Sequence, residues 1–168
     1  MNDDTSDNTI VDRQFRHMAW ANQALIARLI EQGDAALALT APSNEWSAGR
    51  ILVHLVNSAN GYAARLEGLS RQPQADAPTT VAELPALAER LAAVDARLRA
   101  HAARPDGMAA YAGQENAYPR STVLAQVIHH ATEHRAQIAG ALATNGNNGI
   151  DLDAIDLWEF TDAEAAGA

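Results

Sequence analysis

Apolar residues recur at helical spacing in four long stretches of the chain. Between about residues 8 and 31, Phe15, Met18, Leu25, Ile26, Leu29 and Ile30 fall near one face, and Gly33 offers a stop. "APSNEW" introduces a second helix that Ser43 or Ser47 caps. Its face is Ile51, Leu52, Leu55, Val56, Ala59, Tyr62, Ala63 and Leu66, and it ends near Gly68. "SRQPQADAPTT" reads as a linker. Thr79 or Thr80 then precedes a third helix from about 81 to 100, with Glu83 three residues after Thr80 and placed for a capping box. Residues 101–120 hold the turn "RPDG" and an aperiodic "AYAGQENAYP", read as a loop or short hairpin. Ser121 or Thr122 opens a fourth helix of about 22 residues, closed by "NGNNG". The tail "IDLDAIDLWEF" is expected to form a short helical turn docked by Leu152, Ile155, Leu157 and Trp158, with a disordered "TDAEAAGA" end.

Four helices with long connections predict an all-α four-helix bundle with a long crossover. Composition agrees, because the chain is rich in alanine with leucine, glutamate and arginine around it. A length of 168 residues fits one domain spanning 1–168, with a helical core from about 10 to 160. The formal net charge of -9, without a Lys/Arg stripe, argues against nucleic acid as a partner. There is no cysteine, which excludes disulfides, thiolate catalysis by the chain itself and cysteine-based zinc sites. The acidic N-terminus "MNDDTSDNT" is unlike a secretory signal and no 18-residue apolar run follows, so a soluble cytoplasmic protein without membrane attachment is expected.

The fourth stretch carries the chemistry. Three of the six histidines, His129, His130 and His134, crowd into "IHHATEHRAQI". Residues four apart share a helix face, so His130 and His134 lie on the apolar stripe Val127, Ile138 and Ala141, while His129 is rotated away. Two imidazoles in an apolar setting need partners, and a divalent cation satisfies both while keeping them neutral. His54 sits on the apolar side of the second helix beside Ile51 and Leu55. Spacing leaves two readings of it: a core histidine bonded to a carbonyl or to Tyr62, or the third nitrogen of a site suited to zinc, nickel or ferrous iron. His17 and His101, on a helix face and near a helix end, read as solvated or dipole-favoured groups. Glu133 is expected to be rotated off this face and paired with Arg135, Arg120 or solvent. The order HExxH is absent, and with it the zinc-protease arrangement.

These residues resemble the DinB/YfiT-like metalloenzyme superfamily. The resemblance runs from about residue 10 to 160, through "FRHMAWANQALIARL", "WSAGRILVHLVNSANGYAARLEG", "VIHHATEHRAQIAGAL" and the tail "DLWEF". It implies His54, His130 and His134 as metal ligands, with Arg135 and Gln137 as supporting hydrogen-bonding groups. Glu133 departs from a pattern in which a histidine often precedes the last ligand, and Ala136 stands where glycine is common. The resemblance further implies an up-down-down-up bundle, a homodimer, and enzymes that use low-molecular-weight thiols as S-transferases, isomerases or hydrolases. Asn57, Tyr62, Tyr111 and Gln126 are then the expected groups for binding a thiol cofactor or another small molecule. A metal-dependent hydrolase would need a base, for which only Glu133 or His129 is at hand. A non-catalytic metal-binding dimer, structural or stress-related, is the third reading. Trp20 and Phe15 read as packing groups or dimer contacts.

Overall fold

The apolar periods become helices in the computed structural model, which describes residues 9–41 and 44–167. In chain order these are α1 (Ile10–Gln32), α2 (Asp34–Leu37), β1 (Thr40–Ala41), β2 (Asn44–Ser47), α3 (Ala48–Leu66), α4 (Leu84–Ala102), β3 (Met108–Ala109), β4 (Tyr118–Pro119), α5 (Arg120–Ala143) and α6 (Leu157–Ala165). Single 3-10 turns at Val81–Glu83 and Asp153–Ile155 lead into α4 and α6. The strands form two minimal antiparallel ribbons, β1 with β2 and β3 with β4.

Side-chain pairings give the helix directions. Arg99 of α4 reaches Asp12 of α1 at 2.6 Å, whereas Gln23, further along α1, donates to the carbonyl of Ala88, earlier in α4. The two helices therefore run antiparallel. Glu67, just past α3, meets Arg97 and His101 near the end of α4, so α3 and α4 run parallel. His54 faces His130 and His134 on α5, and Tyr62 further along α3 lies by the earlier Gln126, so these two are antiparallel. The result is an up-down-down-up bundle in which α1 packs on α4 and α5, and α3 on the same two from the other side. Two parallel neighbours need a long connection, and residues 67–83 supply it.

The ends of the elements follow local chemistry. Thr9 caps α1 by accepting from Asp12 N, and Ser47 caps α3 by accepting from Arg50 N. Ser43, the other cap candidate, lies outside the described residues. Thr80 and Glu83 form the expected capping box. The start of α5 differs from expectation: it begins at Arg120, without a side-chain cap of its own. Asp106 reaches over from the preceding loop instead, accepting from Ser121 N at 3.0 Å and Ser121 Oγ at 2.8 Å.

The core is aliphatic. Leu25, Leu29, Ile51, Leu52, Leu91, Leu98, Ile138 and Leu142 are at most 1% exposed, each burial contributing roughly 1.5–3 kcal/mol. Gly49 allows α2 and the crossover to close on α3. A Cβ there would lie 3.0 Å from the Pro78 carbonyl oxygen and 3.2 Å from that of Leu37. The tail corrects two expectations. Residues up to Ala165 are helical, and docking is by Ile155 and Phe160, while Leu152, Leu157 and Trp158 are exposed. Asp156 caps α6 by accepting from Trp158 N and Glu159 N, a start that turns Trp158 outward and Phe160 inward. No described helix is long and apolar enough to cross a membrane.

Candidate metal centre

Three imidazoles meet between α3 and α5. His130 Nε2 lies 2.9 Å from His134 Nε2 and 3.2 Å from His54 Nε2. One donor atom from each of the three residues falls within a 4.8 Å span. The four-residue step on α5 puts two rings one turn apart, and the antiparallel packing of α3 brings the third across to them. His134 is buried, and His54 and His130 are partly buried.

The hydrogen-bond pattern fixes which nitrogen of His134 is bare. Gln137 Nε2 donates to Glu133 Oε1 at 3.3 Å, so the opposite amide atom, Oε1, faces His134 Nδ1 at 2.7 Å. His134 must donate there from Nδ1, which leaves a lone pair on Nε2 in the neutral ring. A single proton on His130 Nε2 cannot serve both neighbours. A cation can serve all three lone pairs: with metal–nitrogen bonds of roughly 2.0–2.1 Å, tetrahedral ligands stand about 3.3 Å apart and adjacent octahedral ones about 2.9 Å. The two spacings about His130 fall in that range, and the cluster is capable of coordinating a divalent ion.

Electrostatics favour the neutral form of His130 and His54. Burial is the largest cause depressing the His130 pKa, to about 4, with His134 and His54 adding to it. His54 is lowered for the same reason, burial first and then His134 and Arg50. Neutral imidazoles are the form that binds metal.

Tyr62 packs edge-on to His130 with centroids 5.6 Å apart, and Gln126 is hydrogen-bonded at its hydroxyl. Burial raises the Tyr62 pKa and Gln126 only partly opposes it, so the phenol stays protonated. Asn57 commits both amide atoms to Ala75 of the crossover, at 2.9 Å each. Tyr111 is buried against Gly61, its ring flanked by the guanidinium groups of Arg65 and Arg71. Glu133 and His129 are both exposed; Glu133 is hydrogen-bonded to Gln137, and His129 lines a groove between α1, α5 and the tail.

Trp46, Asn22 and Asp95 were not read from the sequence. Trp46 on β2 stands edge-on to His54 at 4.9 Å, with Arg50 over its ring. Asn22, Asp95 and Arg135 form a buried polar network: Arg135 Nη1 donates to Asn22 Oδ1 at 2.8 Å, and Asn22 Nδ2 to Asp95 Oδ2 at 3.0 Å. Burial dominates here as well, pushing Asp95 up to about 6 and Arg135 down to about 10. His101, expected to be solvated, is 2% exposed, because Arg120 donates to its Nδ1 at 2.8 Å and draws it under the loop. His17 is bonded to the Ile155 carbonyl at 3.0 Å and packs on Phe160, fastening the tail to α1.

A metal-capable histidine triad strung between two helices of an up-down-down-up bundle defines a class of helical proteins with the potential for metal-dependent chemistry. The particular family follows from the sequence: the DinB family model matches residues 1–164, and the chain belongs to the DinB family. No curated protein and no solved structure matches it.

Proposed function

We propose that this protein is a metal-dependent enzyme in which His54, His130 and His134 hold zinc, nickel or ferrous iron and a low-molecular-weight thiol serves as cofactor in an S-transfer or isomerisation reaction. The observation that carries the reading is the donor count. Three Nε2 atoms converge, and among the described residues no further His, Asp or Glu donor joins them. Such a set leaves coordination positions for a ligand from outside, as catalytic sites do and closed structural sites do not. The chain has no cysteine, so any sulfur must be brought in. When bound, the ion would supply positive charge that favours the thiolate.

The chain's own residues shape the surroundings. Trp46 packs on His54 and Tyr62 on His130, and the protonated Tyr62 phenol, steadied by Gln126, is a hydrogen-bond donor for the thiol or its acceptor substrate. Asn57 acts through the crossover it pins, and Tyr111 through the loop it anchors on α3. A hydrolase is less well supported because its base candidates are both exposed, His129 lining the groove beside α1 and Glu133 reaching the cluster through Gln137. The working form in this reading is a cytoplasmic homodimer.

Metal content of protein purified without an affinity tag tests the reading, compared with the His130→Ala/His134→Ala double substitution. About one ion per chain, lost in the variant, is expected. Cobalt substitution then gives a visible spectrum that a panel of small thiols should perturb. No uptake from any divalent ion would overturn the metal reading. Uptake with no thiol response, together with turnover that chelation abolishes, would move the assignment to a hydrolase. Stability loss in His54→Ala without any activity would leave a brace between α3 and α5.

A further inference from the structure

Beside His130 the helices surround a cavity of about 10 Å³. Its walls include Asn22 of α1, Ala59 and Tyr62 of α3, Asp95 of α4 and His130 of α5. Asp95 is 2% exposed, and its Oδ1 has no hydrogen-bond partner among the described residues, although its Oδ2 accepts from Asn22. A buried carboxylate oxygen without a partner is costly and rare. The space is about that of one water, which needs two to four polar partners. The polar residues lining the space are Asn22, Tyr62, Asp95 and His130.

We propose that Asp95 is a positioning residue for the triad: one water in this cavity accepts from His130 Nδ1–H and donates to Asp95 Oδ1, keeping His130 Nε2 free of a proton and aimed at His54 and His134. The inference rests on the metal-site reading above. It gives His130 a counterpart to what Gln137 does directly for His134, a hydrogen bond at the far nitrogen that fixes tautomer and ring direction. It also accounts for a charged residue on the apolar face of α4.

The network makes the effect of one substitution directional. Arg135 donates to Asn22 Oδ1, so Asn22 must present Nδ2 to residue 95. In Asp95→Asn the new amide has to turn its oxygen to Asn22 and its NH2 to the cavity. The water then accepts from residue 95 and donates to His130, which moves the His130 proton from Nδ1 to Nε2, the atom the triad needs bare. Ala59→Val, which fills the cavity, removes the water and leaves the tautomer unfixed.

The first readout is the His130 tautomer in the metal-free full-length protein, from nitrogen-15 side-chain NMR. The Nδ1–H form is expected in the wild type, the Nε2–H form in Asp95→Asn and a mixture in Ala59→Val. The second is zinc affinity by chelator competition, which should fall about 10- to 100-fold in Asp95→Asn, with circular dichroism showing the helices retained. If the wild type takes up no zinc and no other divalent ion, the metal reading fails, while the tautomer still decides the water chain. If zinc binds and both tautomer and affinity are the same in the wild type and Asp95→Asn, the chain is refuted and Asp95 is structural only. A wild-type His130 already in the Nε2–H form would refute it as well.

Discussion

Replacing Asp95 by asparagine should stabilise the fold at neutral pH, against the usual result of breaking a buried ion pair. The reason is that Asp95 and Arg135 are joined through Asn22, which accepts from one and donates to the other. The attraction between the charges is correspondingly smaller than the cost of burying the carboxylate, and burial is the largest influence on its pKa. That pKa rises from 3.8 to about 6, or about 2 units, each equivalent to about 1.4 kcal/mol, so ionised Asp95 disfavours folding by about 3 kcal/mol. Below pH 3.8 the side chain is protonated in both folded and unfolded states and the penalty is absent. It grows as pH rises, because the unfolded chain ionises first, and is complete above about pH 6. Urea denaturation of wild type and Asp95→Asn between pH 4 and 8 measures it. The variant should be the more stable by up to about 3 kcal/mol at pH 7, with the difference shrinking toward pH 4. If the ion pair dominated instead, the variant would lose about 3–5 kcal/mol at pH 7, and that result would refute the reasoning. A variant that gains stability while losing zinc affinity would mark Asp95 as a residue retained for the site.

Two further substitutions probe the surroundings. Gln137→Leu keeps side-chain size but removes the acceptor for His134 Nδ1–H, so zinc affinity by chelator competition should drop about 10- to 100-fold while the melting temperature changes little. Gly49→Ala places a methyl against two backbone carbonyl oxygens that cannot swing aside, and should cost about 1–3 kcal/mol in urea unfolding. An unchanged midpoint would mean that the 67–83 crossover packs more loosely on α3.

The helices were legible because each buries one continuous stripe, and a 3.6-residue period survives in the sequence whatever it packs against. The histidines of α5 were legible for the same reason, a four-residue step on that stripe. The place of His54 was not, since spacing within α3 says nothing of its register against α5, and only the resemblance joined the three. Trp46 was missed because strands of two to four residues carry no period. Asp95 and Asn22 were missed for a different reason: each interrupts an apolar face, Asp95 between Leu91 and Leu98, Asn22 between Met18 and Leu25. The signal was present as a polar residue on a buried stripe, which calls for a partner on another helix. The tail was misjudged because the phase of a short helix depends on its cap, and Asp156 rather than the run of apolar residues sets it.

Arg135 joins the triad to the buried network. It follows His134 directly, and one residue is a turn of about 100° around a helix, so the triad faces α3 while the guanidinium faces α1. There it donates to Asn22 and, through Nη2, to Thr132 on its own helix at 3.1 Å. At 5% exposure it is an expensive residue to bury, and burial draws its pKa down to about 10, which still leaves it charged at neutral pH. Ile138, Leu142 and Val123 on the same helix supply the apolar burial that offsets it. An apolar residue at 135 would hold α5 against α1 but tolerate rotation, because dispersion contacts are not directional. A planar guanidinium bonded to an amide fixes the angle of the helix about its axis. That angle decides where His130 and His134 point, and a shift of an ångström there would separate them from His54.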